Sequence, residues 1–145
     1  MALLSFLEKE YAPSLTKTKQ SISFDHKKPF FVNLERNLIM RLAHNVISNF
    51  LKYAGEGTTL QMKWFRRSGK VYIIFQDNGH GVKKANIPYL HEKFYQEDAS
   101  RSGGSARGIG IGLSVVDKIA KIHGGSLQIQ SDLDKGFLLR VSFAE

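Results

Sequence analysis

The sequence predicts an α+β fold, a two-layer sandwich in which a mixed sheet is covered by helices on one face. Three observations carry that expectation. Between Leu34 and Tyr53 the apolar residues recur every four positions, the period of an amphipathic helix. Two pairs of short alternating segments follow, each pair joined by a tight turn, as in antiparallel hairpins. A second helical stretch, Ile111 to His123, stands between the two pairs. Helices interleaved with hairpins gather on one face of a sheet.

Taken in order, Leu3 to Tyr11 read as a short helix cut by Pro13, with polar residues to about Gln20. Residues 1–20 are expected to be a linker or the stump of a preceding helix, and residues 21–145 the domain itself. Ser21 to Phe24 and Pro29 to Val32 are short strands. The long helix carries Leu34, Leu38, Leu42, Val46 and Phe50 in one row, with Ile39 and Ile47 beside them. Gly55-Glu56-Gly57 ends it. Leu60, Met62 and Trp64 alternate with polar residues, Ser68-Gly69 turns the chain, and Val71 to Phe75 form a more buried strand. From Ala85 to Arg107 there is little regular pattern. A stretch of that length in a small domain is a functional lid or a disordered segment. The helix from Ile111 ends at Gly124-Gly125. Ser126 to Gln130 and Phe137 to Phe143 alternate, with Asp134-Lys135-Gly136 as the turn between them.

The bulk properties narrow the function classes. At 145 residues and 42% hydrophobic, the chain makes one domain with a real core. The absence of cysteine excludes a disulfide framework and a cysteine zinc site. The five histidines are scattered without ligand spacing. No apolar run reaches the roughly 18 residues of a bilayer span. The start lacks the basic head and apolar core of a signal peptide. The expectation is a cytoplasmic domain that makes no membrane contact. A net charge of +8 invites an anionic partner. The basic residues are spread along the chain, in pairs such as Lys27-Lys28, Arg66-Arg67 and Lys83-Lys84, with no basic stripe interleaved with aromatics. Nucleic acid is therefore not an expected partner, and a bound nucleotide accounts for some of the charge.

Four motifs carry chemistry. Gly108-Ile109-Gly110-Ile111-Gly112-Leu113 places alternate glycines where a loop turns into a helix. The first N–H groups of a helix have no partner within it and sit at the positive end of its dipole, a cradle for phosphate. On the long helix, Asn45 and Asn49 are four apart and share a face, with Lys52 and Tyr53 one turn beyond. An amide oxygen is a neutral hard ligand for Mg²⁺ and a lysine is a point charge for phosphate; equally, two asparagines and a lysine make a solvated face. Asp77-Asn78-Gly79-His80-Gly81-Val82 follows the buried strand. No alternating strand comes after it, so a hairpin turn fits poorly. A carboxylate there can accept from an amino group such as adenine N6. Within the irregular segment, His91-Glu92-Lys93-Phe94-Tyr95-Gln96 sets an aromatic pair that can touch a ligand or tether the segment to the core.

In this order, the four motifs resemble the N, G1, F and G2 boxes of the sensor histidine kinases, which belong to the GHKL group of ATP-binding domains with gyrase, Hsp90 and MutL. The resemblance covers about Asn33 to Phe143. It implies the Bergerat α/β sandwich and ATP with Mg²⁺. Asn49 would hold the metal, with Asn45 beside the phosphates. Lys52 would contact phosphate and Tyr53 lie against the nucleotide. Asp77 would bind adenine, and Gly79, Gly81 and Val82 would border it. Phe94 and Tyr95 would come from the lid, about residues 87–107. Arg107, Gly108, Gly110, Ile111, Gly112 and Leu113 would form the phosphate end of the site.

Two departures stand out: Phe50 where the family usually has a small Ala, and Gln96 where many members have Arg. Lys93, Arg101 or Arg107 can supply the missing cation. Gyrase-like members use a Glu one turn before the metal-binding Asn to activate water. Here that position is Asn45, and a neutral amide is a poor general base. The implied enzyme hands its γ-phosphoryl to a protein histidine rather than to water. No histidine of the chain has the setting of a phosphoacceptor, so the implied partners are a separate dimerisation and phosphoacceptor domain and a response regulator. The alternatives are a nucleotide-sensing module or pseudokinase of the same fold and, less in keeping with the Phe94-Tyr95 motif, an anti-sigma-type Ser/Thr kinase.

Overall fold

The computed structural model describes residues 2–25, 33–83, 85 and 107–144. Among these the chain runs α1 (Ala2–Thr18), β1 (Ser21–Asp25), α2 (Arg36–Tyr53), β2 (Thr59–Arg67), β3 (Lys70–Asp77), α3 (Arg107–Ile122), β4 (Ser126–Ser131) and β5 (Phe137–Ala144). The five strands form one sheet in the order β1-β2-β3-β5-β4. Only the β1–β2 pair is parallel, which makes the sheet mixed. No helix of the described residues is long and apolar enough to cross a membrane.

The core lies between the helices and the inward positions of the strands. Leu42, Val46, Ile47 and Phe50 of α2 meet Val116, Ile119 and Ala120 of α3 over Leu60, Phe75, Leu139 and Val141 of the sheet. The heptad-like spacing on each helix and the period of two on each strand put those residues on a common side. Glu35 caps α2, accepting from the backbone N–H groups of Asn37 at 3.2 Å and Leu38 at 2.8 Å. His123 ties the far end of α3 to that cap: its Nδ1 contacts the Ile119 carbonyl at 2.9 Å, and its Nε2 accepts from the Glu35 N–H at 3.3 Å.

Two element boundaries differ from the sequence expectation. The first helix does not stop at Tyr11; α1 continues through Pro13 to Thr18. An interior proline costs roughly 3 kcal/mol. Against that, Leu7, Tyr11 and Leu15 form one stripe against the core, and Leu7 is fully buried. Lys19, at φ +57°, closes the helix, and the Gln20 N–H reaches the Leu15 carbonyl at 3.0 Å. The second difference is the start of α3. It begins at Arg107, not Ile111, so the glycine run lies in the first turns of the helix rather than in a loop before it. Each helical glycine costs about 1 kcal/mol relative to alanine. The buried stripe of Leu113, Val116, Ile119 and Ala120 outweighs that local preference. The expected strand Pro29–Val32 and residues 87–106 of the expected lid, Phe94 and Tyr95 included, lie outside the described residues.

Candidate functional site

A cleft open to solvent lies between α2, the end of β3 and the start of the buried part of α3. One face of α2 forms its first wall. Val46, Asn49, Phe50 and Tyr53 are spaced three and four apart and therefore point the same way. Asp77 and Phe75 come from β3, Gly81 and Val82 from the loop after it, and Leu113 from α3. Phe137 and Leu139 of β5 complete the floor, because β5 pairs with β3 and sets Phe137 opposite Asp77.

The loop after β3 is clamped on three sides. The Gly79 N–H donates to Asp77 Oδ1 at 2.8 Å, folding the chain back over the carboxylate. Asn78 Oδ1 accepts from the Thr59 N–H at 2.8 Å, which joins the loop to β2. The His80 N–H donates to the Ala54 carbonyl just past α2, at 3.1 Å. From the other side, the N–H groups of Asp134 and Gly136 donate to the carbonyls of His80 and Gly79, at 2.7 and 3.1 Å. The space that the loop glycines leave is filled by backbone. A Cβ on Gly79 would lie 2.4 Å from the Ala54 carbonyl oxygen, and one on Gly81, at φ +66°, 2.2 Å from that of Asp132.

This packing sets the electrostatics of Asp77. Burial raises its pKa above the ordinary 3.8, and the N–H groups of Gly79 and Phe137 and the charge of His80 act against that rise. Across the cleft, the side-chain Nδ2 of Asn49 is buried with no hydrogen-bond partner. A buried N–H donor of that kind calls for an acceptor.

Of the residues expected at the site, Asn49, Tyr53, Asp77, Gly81, Val82 and Leu113 line this cleft. Asn45, Lys52 and Gly79 do not. Asn45 turns its amide back along α2 to the Arg41 carbonyl, at 3.0 Å. Lys52 is exposed on the last turn of α2, and Gly79 is buried behind the loop. Arg107, Gly108, Gly110, Ile111 and Gly112 form the first turns of α3. The apolar walls, Val46, Leu60, Phe75 and Leu139 among them, were not singled out from the sequence. Their signal was present as helical and strand periodicity, which marks core and cleft floor alike.

The comparisons with known proteins agree with this geometry. The sequence model of the family described as histidine kinase-, DNA gyrase B-, and HSP90-like ATPase matches residues 35–145. The signal transduction histidine-protein kinase ArlS of Staphylococcus epidermidis (strain ATCC 12228) is 31% identical over 116 residues, 80% of this chain and 25% of the relative. The chain thus spans about a quarter of the length of such curated relatives. Among solved structures, the nucleotide-free catalytic domain of the histidine kinase ThkA superposes with a TM-score of 0.81 at 16% identity, over 99% of this chain and 90% of that one. Full-length ShkA in complex with AMPPNP gives a TM-score of 0.83 at 20% identity, over 99% of this chain and 30% of that one.

Proposed function

We infer function from the premise that the chain belongs to the histidine kinase-, DNA gyrase B- and HSP90-like ATPase family, as the ATP-binding catalytic domain of a sensor histidine kinase. The chain binds ATP in the cleft and presents its γ-phosphoryl to a histidine on a separate dimerisation domain. One observation carries this reading: a half-buried carboxylate, Asp77, and the unpartnered Nδ2 of Asn49 line the same largely apolar, open cleft. Asp77 accepts from the adenine amino group. Its Oδ1 is already held by the Gly79 N–H, which fixes the carboxylate while leaving lone pairs unused. Val46, Phe75 and Leu139 bury the faces and edge of the base.

The phosphates lie toward the first turns of α3, where the N–H groups of residues 107–110 have no acceptor within the helix. Lys52 and Asn45 border that end from α2, and residues 87–107, with Phe94 and Tyr95, form the lid. Asn49 borders the cleft and offers a neutral side-chain oxygen that fits a Mg²⁺ ligand, while its Nδ2, buried without a partner, is left to donate to a phosphate oxygen. Bound there, Mg²⁺ would neutralise charge on the phosphates. In the transfer, the bond from the γ-phosphorus to the bridging oxygen breaks, ADP keeps the electron pair, and the phosphorus bonds an imidazole nitrogen of the acceptor. This chain supplies positioning and no strong base, since a neutral amide stands at Asn45. A response regulator on the phosphorylated histidine completes the reading.

Titration calorimetry tests it. Mg-ATP binds the wild-type chain, and Asn49→Ala abolishes the dependence on Mg²⁺ while leaving the fold intact. Equal Mg²⁺ dependence in the variant removes Asn49 as the ligand. Binding without transfer to a supplied dimerisation domain favours a nucleotide-sensing module of the same fold.

A further inference from the structure

The outer face of the sheet, opposite the helices, holds a column of rings and guanidinium groups. Phe65 of β2 pairs directly with Tyr72 of β3, and their rings stack with centroids 5.0 Å apart at an interplanar angle of 15°. The Arg67 guanidinium lies over Phe65, 5.7 Å from the ring centroid, and that of Arg140 on β5 lies over Tyr72 at 5.9 Å. Arg140 also donates to Gln128 of the neighbouring strand. Both arginines are exposed, and Lys70 is register partner to Arg67. The outward positions of β2, β3, β4 and β5 carry no Asp or Glu. Asp25 of the edge strand β1 is register partner to Lys63.

We propose that this face docks a carboxylate-rich surface of a partner protein. Ring faces hold each guanidinium in place, so less freedom is lost when its N–H groups engage a carboxylate. The outward charges, on β2, β3 and β5, are all positive, which selects an acidic partner and sets like charge against a basic one. The same charge would attract single-stranded nucleic acid, but bases bind such proteins by stacking on open aromatic faces. Here the two rings stack on each other and a guanidinium lies over each. A lipid surface is not indicated, because the exposed large hydrophobics, Phe6, Ile122 and Leu133, lie on other elements.

The test is fluorescence anisotropy on the full chain with two labelled probes of equal charge, a glutamate-rich peptide and a single-stranded DNA. Arg67→Gln with Arg140→Gln is compared with Lys9→Gln with Lys17→Gln on α1, which removes the same charge elsewhere. The arginine pair should weaken the peptide about five- to tenfold, and the lysine pair about twofold or less. Arg67→Lys with Arg140→Lys keeps the charge and loses the planar fork, and should lie between them. Thermal melts confirm that each variant is folded. Equal losses in the arginine and lysine pairs would overturn the proposal, as would DNA that binds this face more tightly than the peptide.

Discussion

Asp77 combines a proposed binding role with a cost to the fold. Burial lifts its pKa, so the folded chain takes up a proton here more readily than the unfolded chain does. Between the ordinary value of 3.8 and the raised one, this group makes the fold more stable as pH falls. Above the raised value the fold carries the full cost of a buried charge. Nucleotide binding has the opposite sign, because the ionised carboxylate is a much stronger acceptor for an amino group than the protonated acid. ATP affinity should therefore decline as pH drops through the raised pKa, before an ordinary aspartate titrates. Asp77→Asn should lower ATP affinity by about ten- to a hundredfold, the loss of a roughly 1.5–3 kcal/mol charge-assisted bond. Its melting temperature at neutral pH should be no lower than wild type, since an amide oxygen can still accept from Gly79. Calorimetry and a thermal melt at two pH values check both halves. Gly81 makes the complementary case. Gly81→Ala adds a Cβ at φ +66° within 2.2 Å of the Asp132 carbonyl oxygen. The left-handed backbone alone costs about 1–2 kcal/mol, so denaturant unfolding should show at least that loss. At this scale Asp77 and Asn49 stood out in the sequence as candidates and Tyr53 entered through the family resemblance, and all three line the cleft. The clamp on the Asp77 loop was not legible there, because its donors are backbone groups from distant turns.

The elements were legible wherever one period dominated. The long helix and the four later strands follow from spacings of four and two, which survive any tertiary context. The two boundaries that differ are places where local preference opposes packing. A proline and a run of glycines each argue against a helix, and each is overruled by a buried stripe. The stripe on α1 yields a prediction. Leu7 is fully buried within the common core, although the family match begins only at residue 35. Leu7→Ala should destabilise the whole domain by about 2–5 kcal/mol, seen as one shifted transition in denaturant. A variant that unfolds with wild-type stability would make α1 an appendage rather than part of the fold. The hydrogen bond from α1 to α2, Tyr11 Oη to His44 Nδ1, supports the first outcome.

At the scale of the molecule, sheet order is what the sequence could not supply. Period-two patterns fix which side of a strand is buried but not which strand lies beside it. Only the order β2-β3-β5 sets Asp77 opposite Phe137 and brings Phe65, Tyr72 and Arg140 into one column. The basic residues read as scattered along the chain, yet pairing gathers several of them on one face. The same global arrangement bears on catalysis. The cleft holds a carboxylate and an amide, but Asn45, at the position that matches the gyrase-like base, carries no charge and turns its amide to Arg41. Asn45 therefore offers a water near the γ-phosphoryl no strong proton acceptor. The chain alone should turn over ATP slowly and should not label itself. Supplied with the dimerisation hairpin of a sensor kinase and γ-labelled ATP, it should place the label on a histidine of that hairpin. Phosphohistidine is acid-labile and a phosphoester is not, so acid treatment before autoradiography distinguishes them. Acid-stable label on this chain, or rapid phosphate release with no hairpin present, would contradict transfer to histidine and favour a hydrolytic or Ser/Thr-directed use of the same site.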